Sequence, residues 1–256
     1  MRQTSQNPDK TMSMLDHLNE LRRRFIASLL VFGISFIIAL VFYSRLIKLF
    51  TDQFERIENV LGAKLFANFI AEGFLVQLQT SAIAALIISL PFHLVNICQF
   101  IFPALHAKTR TIVSIGLVIS FFLSVLGAYI AYFQIIPFSI RFLTNSMFIP
   151  ADVGILLNYQ KSITYVLSFM LWTIITFQAP LVLEILLALN LLNRKRVFHA
   201  SRYIIVGTFV IAAIITPSVD PLSQCAIALP IIVLYFIVIL IAKIFRFGEG
   251  QGKLPE

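Results

Sequence analysis

Long apolar runs, broken at intervals by clusters of charge and by proline, dominate the chain. The first, Phe25 to Tyr43, is uncharged for 19 residues, which as a helix covers roughly 28 Å, about the hydrocarbon thickness of a bilayer. No formal charge lies between Glu72 and Lys108, so a second span is expected from about Phe74 to Cys98, kinked at Pro91, with Pro103 beyond it. A third runs from about Ile112 to Phe133 and stops before Pro137, and a fourth from about Ser162 to Leu189. The last two are expected to be short. Tyr203 to Ile215 covers roughly 20 Å before Thr216 and Pro217 break it, and Leu222 to Ala242 is interrupted by Pro230. Such helices thin the bilayer or lean against longer neighbours. The pattern predicts an all-α, polytopic membrane protein of six transmembrane helices.

Composition agrees. With 59% hydrophobic and 12% charged residues among 256, the chain can hardly build a water-facing surface. Residues 1–256 are read as one membrane domain with polar tails at 1–12 and 247–256. The net charge of +8 raises nucleic acid as a partner, but the cations sit at the ends of apolar runs rather than along one face with aromatics, so no nucleic acid is expected. Of the 20 Lys and Arg residues, 14 fall in the segments on the N-terminal side of the membrane, among them Arg22, Arg23, Arg24, Lys108, Arg110, Arg194, Lys195, Arg196 and Lys243. The other six are Arg45, Lys48, Arg56, Lys64, Arg141 and Lys161. That split predicts both termini inside and an even number of spans. No small-residue cleavage site follows the first apolar run and no import presequence precedes it, so synthesis is expected in the compartment whose membrane the chain enters. Cys98 and Cys225 have no second ligand at metal spacing, and no metal or cofactor is expected.

Two features could carry chemistry. Ser13, Met14, Leu15 and Asp16 resemble a capping box, and Leu15, Leu18 and Leu21 recur on one side, predicting a short amphipathic interfacial helix that feeds the first span. On it Glu20 stands one turn before Arg23 and Arg24. It can form an intrahelical ion pair, or it can accept an incoming guanidinium, whose planar fork matches a carboxylate. The second feature is the scatter of Gln77, Gln79, Asn96, Gln134, Gln178 and Glu184 through the spans, which admits a secondary transporter or ion channel as the alternative function. That class expects internal repeats, and none is found. His93 and His199 have no nucleophile motif or H-E-x-x-H near them, so an enzyme is not expected.

Four segments resemble one family in register. HLNELRRR at 17–24, FIFPAL at 100–105, FQAP at 177–180 and TPSVDPLSQ at 216–224 are similar to motifs of the TatC family of twin-arginine protein translocases, over about residues 13–245. The resemblance implies a glove-shaped six-helix bundle that recognises paired-arginine signal peptides and moves folded proteins with the proton-motive force. The partners it implies are TatA/TatB-type single-span membrane subunits, twin-arginine precursor proteins, further copies of itself in a receptor complex, and the lipid bilayer. Carried over residue by residue, Glu20 matches the motif carboxylate, Arg22 and Arg24 its basic neighbours, and Phe100 and Pro103 the loop that joins the same signal-peptide surface. Pro217, Asp220 and Gln224 fall in the hinge on the far side. Thr109 stands where many members have a second glutamate. Gln178 replaces an intramembrane glutamate common in bacteria, which resembles the chloroplast and cyanobacterial branch and implies a plastid thylakoid membrane, with a bacterial inner membrane as the alternative.

Gln178 and Glu184, six residues apart, should point about 120° from each other on one helix and share no partner. Gln178 is expected to offer its amide to a partner's membrane helix, or else to make an interhelical bond within the chain. Glu184 is expected to be a packing or snorkelling residue.

Overall fold

The interfacial segment and the first span form one continuous helix, α1 (Met14–Val41), in the computed structural model of the chain. The structure describes residues 14–61, 64–101, 107–145, 147–149, 153, 155–188, 191–216 and 220–245. The Ser13 cap lies outside them. No proline falls between Leu15 and Val41, so nothing stops the helix where the apolar run begins. Much of α1 faces outward: Leu30, Ile34 and Ile37 are each about 60% exposed. Lipid chains are as apolar as a protein core, so this exposure costs little in a bilayer, whereas in water it would form an adhesive patch.

The segment after the first span, expected as a loop, is a second helix, α2 (Tyr43–Leu61). Phe50 and Phe54 are buried, with Leu46 and Ile47 packed beside them, while Arg45, Lys48 and Glu55 are exposed. That is the stripe of a surface helix. The only strands among the described residues, β1 (Lys64–Phe66) and β2 (Leu156–Asn158), pair in parallel with Leu65 opposite Leu157, adding a small element to an otherwise helical fold.

Helix α3 (Glu72–Ile101) continues through Pro91. The third span outruns its expected end. α4 (Ala107–Ile130) passes into a π-helical turn at Ala131–Ile135 and then α5 (Ile136–Leu143). The N–H of Ile136 bonds to the carbonyl of Ala131, and the wider turn places Pro137 in the first turn of α5, where a missing N–H costs nothing. The fourth span is broken into α6 (Tyr159–Thr176) and α7 (Ala179–Ala188), because Pro180 has no N–H to continue the ladder. A short α8 (Arg194–His199) leads to α9 (Ser201–Ile215) and α10 (Pro221–Ile244). Only one of the last two spans is short. The 15 residues of α9 reach roughly 22 Å, but α10 runs 24 residues straight through Pro230, roughly 36 Å. Among the described residues five segments are long and apolar enough to cross a bilayer, and α9 is a shorter apolar helix beside them.

Contacts between helix ends show which loops lie together. The start of α1 meets the end of α3 through Arg24 and Asn96, and α8 meets the end of α10 through Arg194 and the Ala242 carbonyl. This is the terminal face. On the opposite face Tyr43 meets Tyr159, Glu72 meets Gln160, and Ser139 meets Ser223. The larger core lies toward the opposite face, where α2 and α5 pack on Ile163, Val166, Leu167 and Phe169 of α6. A smaller core gathers Leu187, Val197, Tyr235 and Val238 at the terminal face.

Candidate functional site

At the terminal face one carboxylate organises the start of α1. Glu20 Oε1 accepts from Arg24 Nη2 at 2.5 Å and from Arg24 Nε at 3.0 Å. Arg24 Nη1 also reaches Asn96 Oδ1 at 3.3 Å. Asn96, buried on α3, returns its amide to the Arg24 carbonyl at 2.7 Å and to Ser28 Oγ at 2.8 Å. Arg24 is thereby held from two sides, while Glu20 Oε2 is buried and has no hydrogen-bond partner among the described residues. A carboxylate can accept about four hydrogen bonds, so this oxygen keeps unused capacity. Beside the pair, Leu21, Phe25, His93, Ile97 and Phe100 line a cleft of about 400 Å³. His93 Nε2 bonds Ser89 Oγ at 2.9 Å.

Of the sequence-derived site residues, Glu20, Arg24 and Phe100 come together here. Arg22 is exposed on the same helix. Pro103 and the Thr109 side chain lie outside what is described. In the sequence Asn96 is only a polar residue in a span. Its role as the anchor of Arg24 depends on α1 lying against α3, which no local pattern encodes.

Gln178 makes the second of its two expected contacts, an interhelical bond within the chain. It sits in the break between α6 and α7, 5% exposed, and its amide is engaged within the chain. Nε2 donates to Ser124 Oγ at 2.7 Å and to the Ile174 carbonyl at 3.4 Å, and Oε1 accepts from Ser120 Oγ. The interhelical bond to α4 is the role observed. The 120° argument fails, because it assumed one unbroken helix. After the break Glu184 also faces α4: its Oε2 lies 4.0 Å from where a Cβ on Gly116 would stand, one turn from Ser120. Gly127 serves the same contact, since a Cβ there would come within 3.0 Å of the Phe177 ring. Gln178→Leu together with Ser120→Ala in a double-mutant cycle should give a coupling of about 0.6–1.7 kcal/mol in thermal unfolding, the range for buried interhelical bonds in membranes. Coupling near zero would mean that the amide contributes nothing to holding α4.

On the opposite face Asp220 caps α10, its Oδ2 accepting from Ser223 N at 2.6 Å, the usual role of an aspartate before Pro at N1. Its Oδ1 is buried without a partner among the described residues. Gln224 is half-buried, and Pro217 lies outside the described residues. Sequence reasoning missed Glu72 altogether. Its fully buried carboxylate accepts from Asn68 N, Asn158 Nδ2 and Gln160 N at 2.6, 2.8 and 2.8 Å.

Five apolar spans and a shorter sixth among the described residues, with charge gathered at two faces apart from Glu184, and an arginine-carboxylate pair at the start of the first helix, define a multi-pass helical membrane protein. Residues 16–230 match the family model of TatC, the Sec-independent protein translocase protein. The chain is 30% identical over 243 residues to the uncharacterized tatC-like protein ycf43 of Cyanidium caldarium, covering 94% of this chain and 97% of that one. It is 31% identical to the chloroplastic Sec-independent protein translocase protein TATC of Pisum sativum, covering 89% of this chain and 63% of the pea protein. A crystal structure of the twin arginine translocase receptor TatC superposes with a TM-score of 0.78 at 30% identity, over 88% of this chain and 98% of that one. The chain belongs to the TatC family. It is a membrane-embedded part of a protein translocase and not an enzyme, and the transporter or channel alternative is set aside.

Proposed function

We propose that the terminal-face end of α1, packed on α3, takes up signal peptides carrying paired arginines. The observation that carries the reading is Glu20. One of its oxygens is held by Arg24, and the other is buried with no partner among the described residues. An incoming guanidinium gains a charge-assisted fork at this carboxylate. Arg24, already bonded to Asn96, can yield its share without being stranded. Arg22 and Arg23 keep the helix cationic and so penalise peptide cations that fail to reach the carboxylate. Phe100, in the last turn of α3 rather than in a loop, belongs to the adjoining cleft and receives the apolar residues that follow the arginines. Thr109 offers no second carboxylate, so Glu20 bears the recognition.

The same reading places the terminal face on the stromal or cytoplasmic side, because 14 of the 20 cations lie in its segments. It makes single-span TatA/TatB-type proteins and further copies of the chain the partners, and the proton-motive force the driver. Likeness to the chloroplastic protein of Pisum sativum supports a thylakoid membrane. Recovery of the full chain on a twin-arginine precursor should exceed recovery on its Lys-Lys counterpart about tenfold, since an ammonium cannot make the bidentate fork. Equal recovery would end the receptor reading.

A further inference from the structure

We propose that the cleft between α8 and the end of α10 is a binding site for an anionic membrane lipid of the terminal-face leaflet. Helix α8 is pinned across α10 at two points. Arg194 Nη1 donates to the Ala242 carbonyl at 3.1 Å, and Tyr235 Oη donates to the Val197 carbonyl at 2.7 Å. The two helices leave between them a cleft of about 380 Å³.

The lining of this cleft is divided. Arg194, Lys195, His199 and Lys243 give it a polar rim, and Phe198, Phe236 and Leu240 an apolar floor, with no carboxylate among the described lining residues. Phe198 and Leu240 are more than half exposed, so the floor opens sideways toward lipid. Lys243 is the penultimate residue of the last span. Its ammonium therefore lies at headgroup depth while its stem runs along the floor. A small free anion would use the rim and leave the floor wet. An uncharged acyl chain would use the floor and leave Lys195 and Lys243 without an anion. An anionic glycerolipid satisfies both, its phosphate between the two lysines and an acyl chain across Phe236 and Leu240. Basic pockets between membrane helices select anionic headgroups in this way.

The site is independent of Glu20, which lies on α1, and of the signal-peptide reading. The test is native mass spectrometry of the full chain titrated with phosphatidylglycerol and with phosphatidylcholine of the same acyl chains. Phosphatidylglycerol should be retained about tenfold more strongly, and each lysine removed should cost about fivefold. K195A/K243A should therefore abolish the preference. The arginine pair K195R/K243R should keep it, which separates lost charge from lost fold, and both lysines are exposed. K48A/K161A, on the opposite face, should leave it unchanged. Millimolar inorganic phosphate should not displace the lipid.

Equal retention of the two lipids, or an unaltered preference in K195A/K243A, would overturn the proposal. Displacement by phosphate would make the cleft a simple anion site and overturn it too. So would an acidic polypeptide in place of lipid mass that disappears in the double variant.

Discussion

Glu20→Lys should abolish docking of a twin-arginine signal peptide while leaving the protein folded. The substitution removes the carboxylate that accepts a guanidinium and puts a fourth cation beside Arg22, Arg23 and Arg24. The loss in docking should exceed about 100-fold, since a charge-assisted fork is replaced by like-charge repulsion. The fold has little at stake. The Glu20–Arg24 pair spans a single helical turn, where an i,i+4 pair adds only ~0.5 kcal/mol to the helix. Arg24 keeps its bond to Asn96. Glu20→Gln keeps the shape without the charge and should weaken docking about tenfold, the difference between a charge-assisted and a neutral hydrogen bond. Site-specific crosslinking of a labelled signal peptide, read beside the thermal midpoint of each variant, measures both parts. Unchanged crosslinking in Glu20→Lys would remove Glu20 from the receptor site.

What the sequence made legible is what depends on period and composition. Uncharged runs located all six crossings, and the cation split agrees with the grouping of helix ends into two faces. Helix α2 was read as a loop, although Ile47, Phe50 and Phe54 stand at helical spacing. Its charges, Arg45, Lys48, Asp52 and Glu55, match those of a loop and mask the stripe. The prolines misled at Pro230, which α10 runs through, and in two further places, for reasons a linear pattern does not contain. Pro137 does not end the third span, because a π-turn supplies a new first turn for it. Pro180 does break the fourth, and the break turns Gln178 and Glu184 toward the same neighbour. At the candidate site, Glu20 and Arg24 are an i,i+4 pair visible in the sequence. Asn96, 72 residues further along, becomes their partner only when α3 folds back along α1. The β1–β2 pair, three residues on each side, carries too little pattern to be seen.

Glu72→Ala should damage the opposite face more than any other single change, and should leave the terminal face alone. In the sequence Glu72 is merely a charge at the edge of an apolar run. In the fold it is fully buried, and three donors converge on it, one from the turn just before α3 and two from the distant β2–α6 junction. Two are backbone N–H groups. That of Asn68 belongs to the turn after β1, and that of Gln160 to the first turn of α6, where no intrahelical acceptor exists. The third is the amide of Asn158, whose other end caps α6 by accepting from Lys161 N at 2.8 Å. One carboxylate therefore joins α3 to the β2–α6 junction and fixes which way the Asn158 amide points. Alanine strands all three donors in a site closed to solvent, where an unmade hydrogen bond carries its full desolvation cost. Glutamine fares little better, because its amide nitrogen would face another donor. The thermal midpoint should fall by about 5–10 °C in Glu72→Ala, and limited proteolysis should cut near β2 (Leu156–Asn158) before any other described segment. Signal-peptide crosslinking at about 4 °C should be retained, because Glu20 shares no partner with Glu72 and distant sites act additively. An unchanged midpoint would show that the clamp is not what holds the two segments together. Lost crosslinking with an intact fold would mean that the two faces are coupled through α3, whose first residue is Glu72 and whose last turns carry Asn96.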